Sequence, residues 1–312
     1  MKTMVARPRL VLEANLDLSE SPVWVAEEDA LYWADVTGQA LNRLDRASGV
    51  NTRLNLGHSI SSYALCEGGG FIAALFEGFA FLDTVSHRMS WVARPFARPE
   101  AFFLNDGRCD RSGRFFWAGS VDRSMAEKGG ALFRLAGDGS CVQMAGGVIA
   151  SNGLAFSPDN RVLYYADSYA RIIWRFDHDP ATGEIRNRQE FAMVPEGEGV
   201  PDGAAVDAEG HYWSARAFGS RIVRYRPDGS IERSVELPFG NPTMVAFGGP
   251  DLRTLYITST SRRLGADEAL RQKAGSIFAL EVDVAGLPEP HFRADAAIRR
   301  GAVGPLAKAF KH

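Results

Sequence analysis

Long apolar runs are absent from this 312-residue chain. Nothing approaches the roughly 18 consecutive apolar residues that span a bilayer, so neither a transmembrane helix nor a membrane partner is expected. No apolar core of a signal peptide follows Lys2, Arg7 and Arg9, which argues against secretion. Charge of one sign is lacking too: the formal net charge is -3, with no charge block, and gives no electrostatic footing for nucleic acid. Cysteine is scarce. Cys66, Cys109 and Cys141 are scattered and lack the paired spacing of zinc sites, so buried free thiols in a cytoplasmic protein are expected. Serine-nucleophile chemistry has no foothold: no Gly-x-Ser-x-Gly elbow occurs, and His58, His87, His178, His211, His291 and His312 show no base-like spacing. A sustained helical period is missing as well, and only Asp267 to Lys273 reads as a short helix in a loop.

What remains is strand. Ala30 to Asp35 with Ala40 to Asp45, Arg114 to Gly119 with Gly130 to Leu135, Val162 to Asp167 with Arg171 to Asp177, His211 to Ala215 with Arg221 to Tyr225, and Thr254 to Thr258 with Gly275 to Leu280 repeat one pattern. Each run is rich in aromatic and β-branched residues and is bounded by Gly, Asp, Asn or Pro, as strands and hairpin turns require. Phe71 to Leu75 with Gly78 to Leu82 is a degenerate copy. A polar residue recurs in register five positions before a turn: Glu20, Ser62, Asn105, Asn152, Asp202 and Thr243, with successive spacings of 42, 43, 47, 50 and 41 residues. Repeats of that length, each about four strands, predict an all-β fold: a six-bladed β-propeller built as one domain over residues 1–312. A sandwich would not explain the register.

In a propeller the six register positions converge at one mouth of the central channel. Glu20, Asn152 and Asp202 together offer two negative charges and several oxygen donors, a hard set suited to Ca²⁺, Mg²⁺, Mn²⁺ or a borderline metal such as zinc or iron(II). Two converging carboxylates without a cation would repel, and one divalent ion at the centre removes that conflict. Ser62 and Thr243 leave an open side for substrate. The recurring aromatics, Trp33, Trp117, Trp174 and Trp213 among them, are expected in the core between blades.

The blocks Ser19-Glu20-Ser21-Pro22, Asn105-Asp106-Gly107-Arg108, Gly113 to Gly119, Ser151-Asn152-Gly153-Leu154, Pro201-Asp202-Gly203 and Asp207 to Gly210 occur in order over nearly the whole chain. In them the chain resembles the SMP-30/gluconolactonase family of metal-dependent sugar lactonases, which are six-bladed propellers. The resemblance implies that Glu20, Asn152 and Asp202 are the metal ligands, that Asp202 is also the general base, and that Asn105 contacts substrate. One position departs from the pattern. Many members carry Arg two residues before that Asn, where it meets substrate hydroxyls, and here Phe103 stands instead. An aromatic ring cannot replace five guanidinium donors. The family's second substrate-side acid has no match either; Glu127 is near but reads as a solvated loop charge.

The expected reaction is hydrolysis of a sugar-acid lactone. A divalent ion would polarise the carbonyl, Asp202 would take the proton of the attacking water, Asn105 would orient the lactone, and Phe103 would face its ring or a deoxy carbon. The partner is then a small-molecule lactone, and a monomer or small homo-oligomer is expected. A phosphotriester hydrolase and a non-catalytic ligand-binding propeller are the competing readings.

Overall fold

The computed structural model describes residues 2–5, 7–86 and 88–300, so His87 and His312 lie outside the described residues. Its strands form six sheets, five of four strands and one of five. The innermost strands are Ser19–Val25, Ile60–Leu65, Phe102–Cys109, Ser151–Phe156, Val200–Val206 and Pro242–Gly248. Each lies against the next, and the sixth lies against the first, so the blades close a ring. Within a blade the chain runs outward through antiparallel hairpins.

The last blade is completed from the other end of the chain. Arg9–Leu12 pairs antiparallel with Ile277–Glu281 and supplies the fourth strand. Lys2–Val5 pairs in parallel with Ile231–Glu236 and gives the fifth blade its extra strand. Four strands per blade were expected, and this addition escaped the pattern because four residues carry no readable alternation.

Six apolar clusters hold the ring, one for each blade-to-blade contact. Trp33, Trp117 and Trp213 are fully buried in them, as the recurrence of bulky residues at one register predicts, whereas Trp174 is only partly buried at the edge of its cluster, with the Arg188 guanidinium 4.1 Å from its ring centroid. The short helix of the sixth blade is Ala266–Gln272. No helix among the described residues is long and apolar enough to cross a membrane. Cys66 and Cys109 are buried and Cys141 is partly so, all as free thiols.

The segment after the last blade strand closes one end of the channel. Its backbone bonds to turns of several blades, through Val282 to Arg253, Ala285 to Ala208, Phe292 to Leu65, Arg293 to Gly113 and Asp295 to Gly137. From it the Glu289 carboxylate pairs with Arg108 of the third blade. The opposite end, where the inner strands begin, stays open.

Candidate metal and substrate site

Every inner strand changes register near its start. The shifts fall between Glu20 and Val23, Ile60 and Ser62, Leu104 and Gly107, Asn152 and Ala155, Pro201 and Ala204, and Pro242 and Val245. The six register residues of the sequence sit at or inside these irregularities. A bulge turns a side chain out of strict alternation, and here it turns polar side chains toward the channel axis. Left-handed Ser21 (φ 49) and Gly153 (φ 64) lie inside two of them. At Gly153 a side chain would also collide with the Tyr212 hydroxyl, 2.3 Å from an added Cβ.

The open mouth leads into a cavity of about 290 Å³, whose lining includes Glu20, Asn105, Asn152, Asp202, Phe103 and Thr243. All five residues singled out for metal or substrate are thus brought together. The amides are held in place. Asn152 donates from Nδ2 to Ser168 Oγ at 2.8 Å, which turns its Oδ1 toward Asn105. Asn105 donates from Nδ2 to Ser151 O at 2.9 Å and to Asn152 Oδ1 at 3.0 Å, leaving its own Oδ1 free to accept. Ser168 Oγ in turn donates to Pro201 O at 2.7 Å, so one hydroxyl links the strand carrying Asn152 to the strand carrying Asp202.

Glu20 and Asp202 keep part of their surface open to the cavity and are enclosed by protein elsewhere. Burial raises both carboxyl groups well above their usual range. Negative charge from Asp202 and Asp106 adds to the effect at Glu20, and charge from Asp106 adds to it at Asp202. No arginine, lysine or histidine among the described residues forms an ion pair with either. Arg262 on the cavity rim offsets the rise at Glu20 only from a distance, being bonded to Asp17 at 2.9 Å. Two desolvated carboxylates beside two amide oxygens, with no cation of the protein's own, fit a divalent ion.

Asp106 was given no role in the sequence, where only Asn105 of the Asn105-Asp106-Gly107 block was singled out. Its Oδ2 accepts the Leu154 amide at 2.8 Å, while Oδ1 is buried without a partner. Burial pushes its carboxyl up to about 6. Arg108 was also missed. It donates to Leu154 O at 3.1 Å and Ala204 O at 2.8 Å, clamping the strands of Asn105, Asn152 and Asp202, and its acidic partner Glu289 lies 181 residues away.

Two expectations need correction. Ser62 does not form an open side: it is fully buried and donates to Asn105 O at 2.8 Å. Thr243 lines the cavity, but its hydroxyl donates to Ser19 O at 2.6 Å. Both hydroxyls tie one inner strand to the next because a backbone carbonyl lies nearer than the axis. Glu127 is exposed on a separate hollow with Arg98, Glu100 and Asp122, away from the cavity. Phe103 does line the cavity, packed at a tilt of 37° against Phe76 with 4.5 Å between ring centroids.

A second acidic group, Asp207, Glu209 and His211, has ligand atoms within 4.8 Å of one another. It belongs to the turn closing the fifth inner strand. Asp207 accepts Trp213 Nε1 and Arg224 Nε, each at 2.8 Å, and Arg224 also reaches Glu209 at 2.7 Å. A guanidinium already fills the place a cation would take.

Comparison with known proteins bears on this geometry. The family described as "SMP-30/Gluconolactonase/LRE-like region" matches residues 18–261. A 6-deoxy-6-sulfogluconolactonase of Pseudomonas putida is 42% identical over 88% of this chain and 94% of its own. The pentonolactonase XacC of Haloferax volcanii is 34% identical over 91% and 97%. Among solved structures, a calcium-binding regucalcin from Agrobacterium tumefaciens superposes with a TM-score of 0.89 at 27% identity, covering 94% of this chain and 99% of that one.

Proposed function

The chain belongs to the SMP-30/gluconolactonase/LRE-like family, and from that premise we propose that it is a divalent-metal-dependent hydrolase that opens sugar-acid lactones. One observation carries the reading: Glu20 and Asp202 share a cavity with Asn105 and Asn152 and have no cationic partner among the described residues.

Glu20, Asn152 and Asp202 would hold the ion. When bound, the ion supplies Lewis-acid polarisation of the lactone carbonyl and offsets the two carboxylate charges. Asp202 accepts the proton of the attacking water through an oxygen facing the cavity. Asn105 accepts a substrate hydroxyl at its free Oδ1 and so fixes the ring relative to Asp202. Asn152 is kept in orientation by Ser168, the kind of supporting contact that sets ligand geometry. Phe103 and Phe76 give the cavity an apolar wall where the sugar offers a ring face or a carbon without hydroxyl. The relatives act on a sulfogluconolactone and on pentonolactones, so the class of substrate is a five- or six-carbon aldonolactone.

The test is a panel of aldonolactones assayed with chelated protein and with Ca²⁺, Mn²⁺, Mg²⁺ or Zn²⁺ added back. Metal-dependent ring opening is expected. Absence of turnover for every lactone with every metal would sink the proposal, and turnover of a phosphotriester in its place would favour the competing hydrolase.

A further inference from the structure

Each blade also reaches the mouth from the connection between its second and third strands. In chain order these connections bring Val36, Phe76, Met125, Tyr169, Phe218 and Arg263 to the cavity. Five of the six are apolar or aromatic, and the guanidinium carbon of the sixth lies 4.2 Å from the ring centroid of Phe218. Met125, Tyr169 and Phe218 are exposed while Glu20 and Asp202 are partly enclosed, so an apolar collar stands outside the acids. Of the eight large apolar side chains that are exposed among the described residues, three therefore gather at one mouth. Apolar side chains left in water around a concave site mark a surface that a ligand covers.

The backbone under the collar points the same way. Met125 (φ 53), Phe218 (φ 60) and Arg263 (φ 64) are left-handed. Glycine enters that region without steric cost and bulky side chains seldom do. Side chains kept there at a cost to the fold are a feature of ligand sites. The hydroxyls of the wall, by contrast, are spent within the protein. Ser168 Oγ donates to Pro201 O and accepts from Asn152 Nδ2. Thr260 Oγ1 donates to Asp17 O at 2.5 Å and accepts the Arg262 amide at 3.1 Å. Thr243 Oγ1 donates to Ser19 O and meets Thr258 Oγ1 at 2.8 Å. A ligand hydroxyl at the collar would lose water for little return, whereas a hydrocarbon chain would be taken out of water.

We propose that the collar binds an apolar substituent on the lactone, so that the same acids open lactones bearing a short alkyl chain as well as polyhydroxylated ones. The proposal rests on the lactonase reading above and widens its substrate class. With the carbonyl among the acids, the carbon bonded to the ring oxygen sends its chain toward Phe103, Phe76 and the collar. A water oxygen bonds to the carbonyl carbon, and the bond from that carbon to the ring oxygen breaks. The proton taken by Asp202 passes to the ring oxygen, and the product is a hydroxyalkanoic acid. The collar acts on binding, and the bond-breaking groups are elsewhere.

The experiment measures kcat/KM of the metal-loaded full chain for γ-butyrolactone, γ-hexanolactone and γ-octanolactone, with gluconolactone beside them. In wild type kcat/KM is expected to rise about 2- to 4-fold per added methylene, the range for partial to full burial of each one. Phe218→Gly combined with Met125→Gly is expected to flatten the rise to below about 1.5-fold per methylene, chiefly through KM. Glycine suits the backbone at both positions, so folding should be kept. Val85→Ser, at an exposed apolar residue of the second blade outside the cavity, should leave the rise unchanged. No rise with chain length, or a rise that survives the double substitution, overturns the collar, and turnover of gluconolactone then leaves the lactonase reading standing. If no lactone turns over, the lactonase reading falls, and calorimetry with 4-hydroxyoctanoate against 4-hydroxybutanoate decides the collar alone. Tighter binding of the longer acid that is lost in the double variant supports the collar, and equal binding overturns it.

Discussion

The two ends of the inner strands carry the same residue types and treat them oppositely. At the closed end, Asp207 receives Trp213, Arg224 and the amides of Glu209 and His211, the latter two at 3.0 Å. Asp110 receives the Phe115 amide at 2.9 Å, the Asn160 side chain at 2.8 Å and the Ser112 hydroxyl. Glu289 is paired with Arg108. At the open end Glu20 and Asp202 have no cationic partner among the described residues, and Asp106 keeps a bare oxygen. By proximity alone the Asp207, Glu209 and His211 group looks more like a metal site. Partnership reverses the order: satisfied acids hold the fold, and unsatisfied acids are available for chemistry.

Breaking each end should therefore have different consequences. The largest effect is expected from Asp202→Ala, which should lower lactone turnover about 10³- to 10⁴-fold. Because that carboxylate is held at a cost in the metal-free fold, the midpoint of urea unfolding without metal should not fall. A clear loss of metal-free stability would place Asp202 with the structural acids.

Asp207→Asn should do the reverse. It strips Arg224 of a buried partner and should cost about 3 kcal/mol in urea unfolding, the low end for a broken buried pair because Glu209 and Glu232 remain beside the guanidinium. Metal stoichiometry by calorimetry should stay at that of the wild type. A lost metal equivalent would move the binding site to the closed end.

Ser168→Ala should weaken metal about 10- to 100-fold, by freeing the Asn152 amide, with a stability change of about 1 kcal/mol. Titration with metal in a fluorescence assay checks it, and unchanged affinity would show that Asn152 needs no support.

The smallest and most graded difference is in pH. Glu20, Asp202 and Asp106 have raised carboxyl values in the fold, so the folded state holds protons there that the unfolded chain has released. Stability of chelated protein should decline as pH rises from about 4, the ordinary carboxyl value, through the raised values. Metal binds the ionised forms and should be strengthened over the same interval. The gap in Tm between metal-loaded and chelated protein should widen between pH 5 and pH 8, and a constant gap would contradict the assignment of these acids to the ion.

How far the sequence discloses this depends on the distance over which a feature is built. The blades were legible because Trp33, Trp117 and Trp213 fall at one register and each blade is local. Glu20, Asn105, Asn152 and Asp202 were legible because six repeats give one position a common direction. The bulges that aim them were not, since an extra residue in a strand leaves no mark beyond an occasional glycine such as Gly153. Ser62 misled for a related reason, because register predicts where a strand starts and not whether a carbonyl of the next strand captures its hydroxyl. The Arg108 and Glu289 pair joins distant segments, and no short-range pattern predicts it.

The strand Arg9–Leu12 is made early and needed last. Its partner Ile277–Glu281 emerges only after all six inner strands, and the bond from Thr243 to Ser19 spans 224 residues. Closing a chain over such a distance is entropically costly and is rewarded only at the end, so the ring forms late in folding. Glu20 comes from the first blade and Asp202 from the fifth, and neither has the other's company in a partial ring. During synthesis, then, a chain halted before its sixth blade would hold most of the fold's sequence and still be unable to capture an ion. On the proposed assignment of Glu20 and Asp202 to the ion, ion uptake would mark the final step of assembly, and whatever slows dissociation of the ion would also slow reopening of the ring.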